Sequence, residues 1–150
     1  MIRVWRIVKA KHSRHSFDGE GARRAGGRWN SPGRAVIYTS ATISLAVLEM
    51  LVHLGNSRIL DAYLVIPASF DNAEVADVEN LPGNWRYYPA PPSLQVIGDQ
   101  WIESGRSLVL RVPSAVVNRE FNYLINPAHE AFGKIEIGEP ERFTFDSRLP

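Results

Sequence analysis

The stretch that decides the fold is SATISLAVLEMLVHLG, residues 40–55, in which apolar residues occupy nearly every helical position. Ser40 or Thr42 can cap the N-terminus of a helix, and the closing glycine is a stop signal. The pattern therefore predicts the main helix of the molecule at about 41–54. A helix that is apolar on all sides is expected to be buried, yet this one carries a carboxylate, Glu49.

The neighbours of Glu49 on this helix are mostly apolar. The residues one turn away are Leu45, Ala46, Val52 and His53, of which only the histidine is polar. Burial of a carboxylate costs free energy unless it finds a partner, so Glu49 must either pair with an arginine or histidine or open onto a pocket. The spacing of Glu49 and His53 differs from that of the two-histidine zinc motif, and we expect no metal site.

The composition predicts one globular domain over residues 1–150. Of the 150 residues, 45% are hydrophobic and 22% are charged, which is typical of soluble proteins rather than disordered or membrane proteins. We expect a cytoplasmic protein, because the sequence shows neither a long apolar span nor a signal peptide. The absence of cysteine excludes disulfides and thiolate chemistry, so any catalysis must use oxygen and nitrogen groups.

Charge is distributed unevenly, although the formal net charge is only +1. Residues 1–34 hold nine basic and two acidic groups, whereas the rest of the chain holds eight basic and fourteen acidic groups. This asymmetry indicates either an anionic partner or a solvated basic loop. Gly26 and Gly27 beside Arg28 would let backbone N–H groups approach an anion, but the pattern is neither a Walker motif nor a dinucleotide-binding fingerprint.

The rest of the chain shows the patterns of short strands and few helices. Two prolines and a later glycine predict a second helix at 94–104, after a loop at 81–92. Strands are predicted at 2–8, 35–39, 59–66 (closed by Pro67), 74–78, 107–112, 115–117, 121–125, 134–137 and 142–145. This order of elements predicts a compact α+β fold.

Several short motifs, taken in order, resemble one known family. They are VWRI (4–7), GGRWNSPG (26–33), VIYT (36–39), LAVLE (45–49) with Val52-His53, VPS (112–114), NPAH (126–129) and FDSRL (145–149). Their order and spacing are similar to those of the RES-domain family, the toxin half of a class of bacterial type II toxin–antitoxin pairs. The resemblance covers essentially the whole chain, 1–150, as a single RES domain.

The resemblance implies a fold similar to that of ADP-ribosyltransferases, in which short mixed and antiparallel strands form a split central sheet around an NAD cleft. It implies an activity on NAD, which would be a substrate rather than a permanently bound cofactor. Some members of the family deplete NAD by hydrolysis or phosphorolysis and so arrest growth, and others transfer ADP-ribose to a protein. The acceptor, whether water, phosphate or a host protein, stays open.

The implied partner is a cognate Xre-type antitoxin with a helix-turn-helix DNA-binding domain, whose C-terminal part covers the toxin's active site. DNA would be contacted only through this antitoxin, and no membrane is involved. A homodimer of the toxin within a larger toxin–antitoxin complex would also suit the family.

The family takes its name from an arginine, a glutamate and a serine, which the resemblance places at Arg28, Glu49 and Ser114. Together with Tyr38 these are the expected catalytic residues. The expected NAD-binding residues are Arg6, Gly27, Arg28, Trp29, Asn30, Tyr38, His53 and Asn126. Whether Arg6 or Arg28 is the main phosphate ligand stays open, and Asn126 also fits an ordinary turn before a proline.

Cleavage of NAD as the resemblance implies it requires only one catalytic carboxylate. Cleavage of the bond between nicotinamide and ribose builds positive charge on the sugar carbon, which a fixed carboxylate such as Glu49 stabilises. The nicotinamide ring of NAD is already cationic and leaves without a general acid, so a second catalytic carboxylate is not required. Arg28 would bind the pyrophosphate, Tyr38 the nicotinamide or ribose, and Ser114 would act as an orienting hydrogen-bond donor.

Two other classes of function stay open. The basic segment 3–34 could bind RNA or belong to a ribonuclease toxin, although His12 and His15 lack the interleaved aromatic residues of single-strand binding. Alternatively, the domain could be an interaction module that accepts an acidic antitoxin segment without turnover.

Overall fold

The computed structural model describes residues 1–54 and 62–150. Its α-helices are α1 (Glu20–Ala25), α2 (Ile43–Leu54) and α3 (Pro92–Ser104). Its strands are β1 (Ile2–Lys9), β2 (Ile37–Ser40), β3 (Tyr63–Phe70), β4 (Val75–Asp77), β5 (Val109–Pro113), β6 (Phe121–Ile125), β7 (Glu136–Ile137) and β8 (Glu141–Phe143). Short 3₁₀ turns cover Ala10–His15, Asn72–Glu74 and Phe132–Lys134. None of the described helices is long and apolar enough to cross a membrane.

The strands form one sheet in the order β4-β5-β6-β2-β1-β3-β7, with β8 pairing with β3 beside β7. The β4–β5 pair is parallel and the others are antiparallel. Strand β1 pairs with β3 over its whole length but with β2 only at Trp5–Ser40, the shortest pairing among the described strands. The predicted α+β class with few helices is confirmed, and the sheet is narrowest where β1 meets β2.

Helices α2 and α3 pack on the same face of the sheet over separate apolar clusters. Trp29, Leu110 and Leu124 lie beneath α3, and Ile7 and Val65 lie beneath α2. The opposite face buries a third cluster that includes Val4, Ile37, Phe70, Tyr123 and Ile125. The sheet is therefore stabilised from both sides, with two separate helical contacts on one of them.

A polar strip separates the clusters beneath the two helices. Trp5, Ser40 and Asn122 stand opposite one another across β1, β2 and β6, and residues paired in this way project from the same face. Ser40 and Asn122 therefore face the helices, between the two apolar clusters. This strip is the floor of the candidate site.

Helix α2 is less buried than its sequence suggests. It begins after Thr42, whose side-chain oxygen accepts the N–H of Leu45 at 3.0 Å and so caps the helix. Only Leu45 and Ala46 are buried, whereas Val52 is 62% exposed. The expectation of a helix buried on all sides is therefore wrong, because α2 lies on one face of the sheet and leaves its outer side uncovered.

Two predicted strands differ from the structure for reasons of hydrogen bonding. β3 runs through Pro67, whose carbonyl accepts the N–H of Gly138 at 2.8 Å. The backbone nitrogen of Pro67, which has no hydrogen to donate, points to the same outer side of β3. Proline is tolerated there because Pro67 lies between the residues that pair with β7 and those that pair with β8. The predicted strand at 115–117 is a turn, because the Ser114 side chain accepts the N–H groups of Val116 and Val117 at 3.1 Å.

The other predictions are closer. Helix α3 starts at Pro92, as proline at a first helical turn favours, and ends before Gly105, whose φ is 60°. At 13 residues it is one residue longer than α2, which the sequence marked as the main helix. β2 begins two residues later than predicted, and α1 was not predicted. Residues 55–61, which hold the stop signal of α2 and the start of the predicted strand at 59–66, lie outside the described residues.

Candidate active site

The carboxylate of Glu49 on α2 meets the ends of β5 and β6. The Ser114 hydroxyl donates a hydrogen bond to Glu49 Oε2 at 2.9 Å, and the side-chain amide of Asn122 donates to the same oxygen. The Ser40 hydroxyl in turn donates to the Asn122 carbonyl oxygen at 2.8 Å. Four polar side chains from one helix, two strands and one loop thus form a connected network.

Each member of this network is held by backbone structure. Asn122 and Ser40 occupy paired positions of β6 and β2. Ser114 follows β5 directly, and its backbone N–H donates to the Glu120 carbonyl at 2.9 Å. The Ser114 hydroxyl uses its hydrogen on Glu49 and its oxygen on two backbone N–H groups, so it is saturated. This geometry suits an orienting donor, the role expected for Ser114, because the base beside its hydroxyl is Glu49 itself, whose carboxylate Ser114 holds in place.

Glu49 has neutral hydrogen-bond partners. Among the described residues no arginine or histidine forms an ion pair with it, so the interior ion pair that the sequence left open is not found there. Its second oxygen, Oε1, has no hydrogen bond within this part of the chain, and the residue is half-buried. A carboxylate fixed through one oxygen therefore has the other oxygen available to a ligand.

A tight turn carries Arg28 and rests on Tyr38. The Tyr38 hydroxyl donates to Asn30 Oδ1 at 2.5 Å and accepts the N–H of Trp29 at 3.1 Å. Burial raises the pKa of Tyr38, which keeps its phenol protonated as a donor. A Cβ atom on Gly27 would lie 2.7 Å from this hydroxyl, so the turn approaches the ring more closely than any other residue type would allow.

The same turn is held from α3. The side-chain amide of Gln95 donates to the carbonyls of Gly27 and Asn30 at 3.0 and 3.1 Å, and Asp99 accepts the N–H of Ser31 at 3.0 Å. Asn30 is fully buried, and its amide donates to surrounding carbonyls, including that of Ala22 at 2.9 Å. The turn is therefore a rigid platform rather than a mobile glycine loop.

Arg28 connects this platform to the loop before α3. Its Nη1 donates to the carbonyls of Trp85 and Tyr87 at 3.0 and 3.2 Å. No other hydrogen bond of its guanidinium is found within the described residues, and the side chain is half-buried. One edge of the guanidinium holds the loop, and its remaining N–H groups can meet an anion.

The turn and the carboxylate network belong to one site, because β2 connects them. Tyr38 reaches the turn, and Ser40 reaches Asn122 and through it Glu49. These two β2 residues share a face of the sheet and lie about 7 Å apart along the strand. The structure thus joins Glu49 directly to Ser114 and connects them, through β2, with Tyr38 and the turn that carries Arg28.

Arg6 lies on the other side of β1 from Trp5 and binds backbone. Its Nε donates to the Ser16 carbonyl at 2.6 Å, and its Nη1 donates to the Tyr38 carbonyl at 2.9 Å, next to the short β1–β2 pairing. Burial lowers the pKa of Arg6 to about 10 while Asp18 opposes the shift, so the side chain is cationic at neutral pH. Its expected role as a phosphate ligand stays a prediction.

His53 and Asn126 lie apart from these contacts. His53 is exposed in the last turn of α2. Asn126 is buried, accepts the N–H of Ala128 at 3.0 Å and donates to the Ile102 carbonyl at 3.3 Å. These bonds build the turn after β6, which the sequence offered as the alternative for Asn126. For both residues, NAD binding stays a prediction.

Sequence reasoning missed Asn122, Gln95 and Asp99, and it considered Ser40 only as a helix cap. One signal was available for Asn122. In FNYLI, residues 121–125, alternate side chains face opposite sides of the strand, so Asn122 shares a face with the buried Leu124. A polar residue at such a position is expected to have a specific partner.

The hydroxyl of Tyr38 is expected to contribute to stability through the turn. Tyr38→Phe leaves Asn30 Oδ1 and the Trp29 N–H without this partner, so the free energy of unfolding should fall by about 1–3 kcal/mol. Denaturant unfolding measures the change. Tyr88→Phe is the control, because Tyr88 is 91% exposed and should change the free energy by less than about 0.5 kcal/mol. Equal values for the two variants would contradict this role.

Comparisons with known proteins agree with the fold and with the family resemblance. The chain resembles a chain of the crystal structure of the M. tuberculosis MbcT-MbcA toxin-antitoxin complex, with a TM-score of 0.79 at 19% identity over 95% of this chain and 84% of that one. This likeness defines the class as an α+β protein that shares its fold with a chain of that complex. The RES domain model matches residues 3–146, and the chain therefore belongs to the RES domain family.

Two relatives cover almost the whole chain. "Toxin Res" of Yersinia enterocolitica serotype O:8 / biotype 1B is 38% identical over 149 residues, covering 97% of this chain and 98% of that protein. "Prs ADP-ribosylating toxin" of Sphingobium sp. strain YBL2 is 38% identical over 152 residues, covering 97% of this chain and 94% of that protein. The resemblance found in the sequence motifs is confirmed, and the chain is classed with the RES toxins.

Proposed function

We propose that this chain is a toxin that consumes NAD by cleaving the bond between nicotinamide and ribose. The observation that carries the proposal is the carboxylate of Glu49, which Ser114 and Asn122 hold through Oε2 while Oε1 has no hydrogen bond among the described residues. A fixed, half-buried carboxylate with one available oxygen is suited to stabilise a sugar cation. The turn that carries Arg28 would bind the phosphates; it contacts Tyr38, two residues before Ser40 in β2, and Ser40 belongs to the network around Glu49.

The reaction needs one anionic group that stabilises the positive charge on the sugar and one acceptor molecule that bonds to the sugar carbon. As the C1′–N bond breaks, its electron pair moves to the ring nitrogen, and neutral nicotinamide leaves. The positive charge on C1′ is stabilised by Glu49 Oε1, directly or through the ribose hydroxyls. An oxygen of water or phosphate then bonds to C1′, and water releases its proton to solvent. No acid is needed for the leaving group, which suits a site whose other polar side chains around Glu49 are neutral.

The turn of residues 26–33 supports binding of the diphosphate. Arg28 retains the N–H groups of Nε and Nη2 beyond those of Nη1, which hold the loop, and the backbone of Gly27 can approach a ligand without a side chain in the way. Trp29 and Asn30 are buried, so they support the turn from below. In this arrangement Arg28 would contact substrate, whereas Tyr38 would act by supporting the turn.

The test is nicotinamide release by the purified chain, free of any antitoxin. With NAD at millimolar concentration, we expect nicotinamide to appear in at least one of two assays, one without phosphate and one with it. The second product distinguishes the two reactions, because hydrolysis gives ADP-ribose and phosphorolysis gives ADP-ribose 1″-phosphate. Absence of nicotinamide at every phosphate concentration, with the protein shown to be folded, would refute the proposal.

A second candidate is transfer of ADP-ribose to a host protein. It is favoured by the relative that carries the name Prs ADP-ribosylating toxin. The same carboxylate serves both reactions, because only the acceptor at C1′ differs. Incubation with labelled NAD and cell lysate distinguishes them: label on a protein band supports transfer, and label confined to small molecules supports NAD depletion.

We further propose that the toxin is neutralised by a cognate antitoxin with an Xre-type helix-turn-helix domain. The support is the fold shared with a chain of a toxin–antitoxin complex. Addition of the purified antitoxin to the nicotinamide assay should suppress release in proportion to complex formation.

A further inference from the structure

Asn122 connects the catalytic carboxylate to the sheet. Its amide nitrogen donates to Glu49 Oε2, and its amide oxygen accepts the Ser40 hydroxyl at 2.8 Å. Its backbone is paired on both sides, with Ser40 in β2 and Val112 in β5. The contact therefore joins α2 to an interior strand of the sheet.

The orientation of this amide is determined by its two partners. The carboxylate of Glu49 can only accept, so it selects the amide nitrogen, and the Ser40 hydroxyl donates to the amide oxygen on the other side. The reversed orientation would place two acceptors together and lose both bonds. Asn122 therefore presents a donor to Glu49 in a fixed direction.

Glu49 needs such a support because α2 itself is weakly buried. Of the helix residues, only Leu45 and Ala46 are buried. Ser114 supplies one donor to Oε2, but it lies in a loop after β5. A second donor from a central strand prevents the carboxylate from rotating about the first bond, and it so fixes the direction of Oε1.

We propose that Asn122 is a positioning residue for NAD cleavage, which acts by fixing the Glu49 carboxylate through Oε2 with the help of Ser40. This inference rests on the proposed function. Asn122 acts through Glu49 and takes no part in the bond changes at C1′. Its removal should therefore affect kcat more than KM for NAD.

The sharpest test is Asn122→Asp, which keeps the shape and exchanges the amide donor for an ionisable group. Of the described residues, Glu49 is the titratable group that contacts this side chain, while Ser40 and Ser114 are neutral. On the opposite face Arg111 lies over the Phe121 ring and binds Asp77. A protonated aspartic acid can donate to Glu49 as the amide does, whereas an ionised one repels it.

We expect kcat of Asn122→Asp to fall about 10- to 100-fold near pH 8 and to recover relative to wild type as the pH is lowered towards about 5. The KM for NAD should change by less than about threefold. Asn122→Leu should lose activity at all pH values without recovery. Asn72→Asp introduces the same charge at an exposed position in the turn before β4 and should match wild type throughout.

Two outcomes overturn the inference while the proposed function stands: wild-type kcat in Asn122→Leu, or a loss in Asn122→Asp that is constant with pH. If wild type itself releases no nicotinamide, the proposed function fails, and a crystal structure of Asn122→Leu then tests the inference separately. Displacement of Glu49 Oε2 from hydrogen-bonding distance of Ser114 supports positioning by Asn122, and an unmoved carboxylate contradicts it.

Discussion

Glu49→Gln is expected to reduce kcat for nicotinamide release by about 10²–10³-fold while the protein stays folded. The glutamine carbonyl oxygen can accept the bonds from Ser114 and Asn122 that Oε2 accepts now. Its amide group then occupies the place of Oε1 and turns the positive end of a dipole towards the cationic sugar carbon. Nearly the same shape thus has the opposite electrostatic effect on the transition state.

Steady-state kinetics with NAD, together with thermal unfolding of each variant, measures this effect. Glu79→Gln is the matched control, because it removes an exposed carboxylate from the loop after β4 and should leave kcat unchanged. Wild-type kcat in Glu49→Gln would exclude Glu49 from the mechanism. A lower unfolding temperature with proportionate loss of activity would show that the substitution acts on the fold instead.

Gly98→Ala is expected to produce the largest loss of stability. Gly98 lies in α3 against the arginine-bearing turn, and a Cβ atom there would stand 1.7 Å from the Trp29 carbonyl oxygen and 2.7 Å from its carbonyl carbon. Neither atom belongs to a flexible side chain, and the turn is also tied to α3 by Gln95 and Asp99. We expect the free energy of unfolding to fall by about 3 kcal/mol or more, because the helix and the turn must separate.

Denaturant unfolding of Gly98→Ala beside Gly21→Ala tests this expectation. Gly21 is also helical, in α1, but a Cβ atom there meets nothing within 4 Å. Gly21→Ala should therefore stabilise by about 0.5–1 kcal/mol through helix propensity. If the two variants behaved alike, the close approach at Gly98 would carry no energetic weight. Folded Gly98→Ala should also bind NAD more weakly, because the turn that carries Arg28 moves with Trp29.

The secondary-structure elements that could be predicted are those whose ends are marked by residues nearby in the sequence. The Thr42 cap, the proline start of α3 and the glycine after it depend on residues within one helical turn, and the structure confirms each of them. The six residues of α1 are too few to show a helical period. The course of β3 through Pro67 depends on which side of the strand is paired, and that is a property of the whole sheet.

The sequence by itself determined the α+β class and the family, and it singled out Glu49 as a carboxylate that needs an explanation. Only the tertiary structure decided what Glu49 contacts. Its partners Ser114 and Asn122 lie 65 and 73 residues away in the chain, on elements whose side-chain directions follow from strand register. Local patterns carry no information about such distant pairings. The sequence therefore left an arginine or a histidine open as the partner of Glu49, whereas the structure places two neutral donors beside the carboxylate.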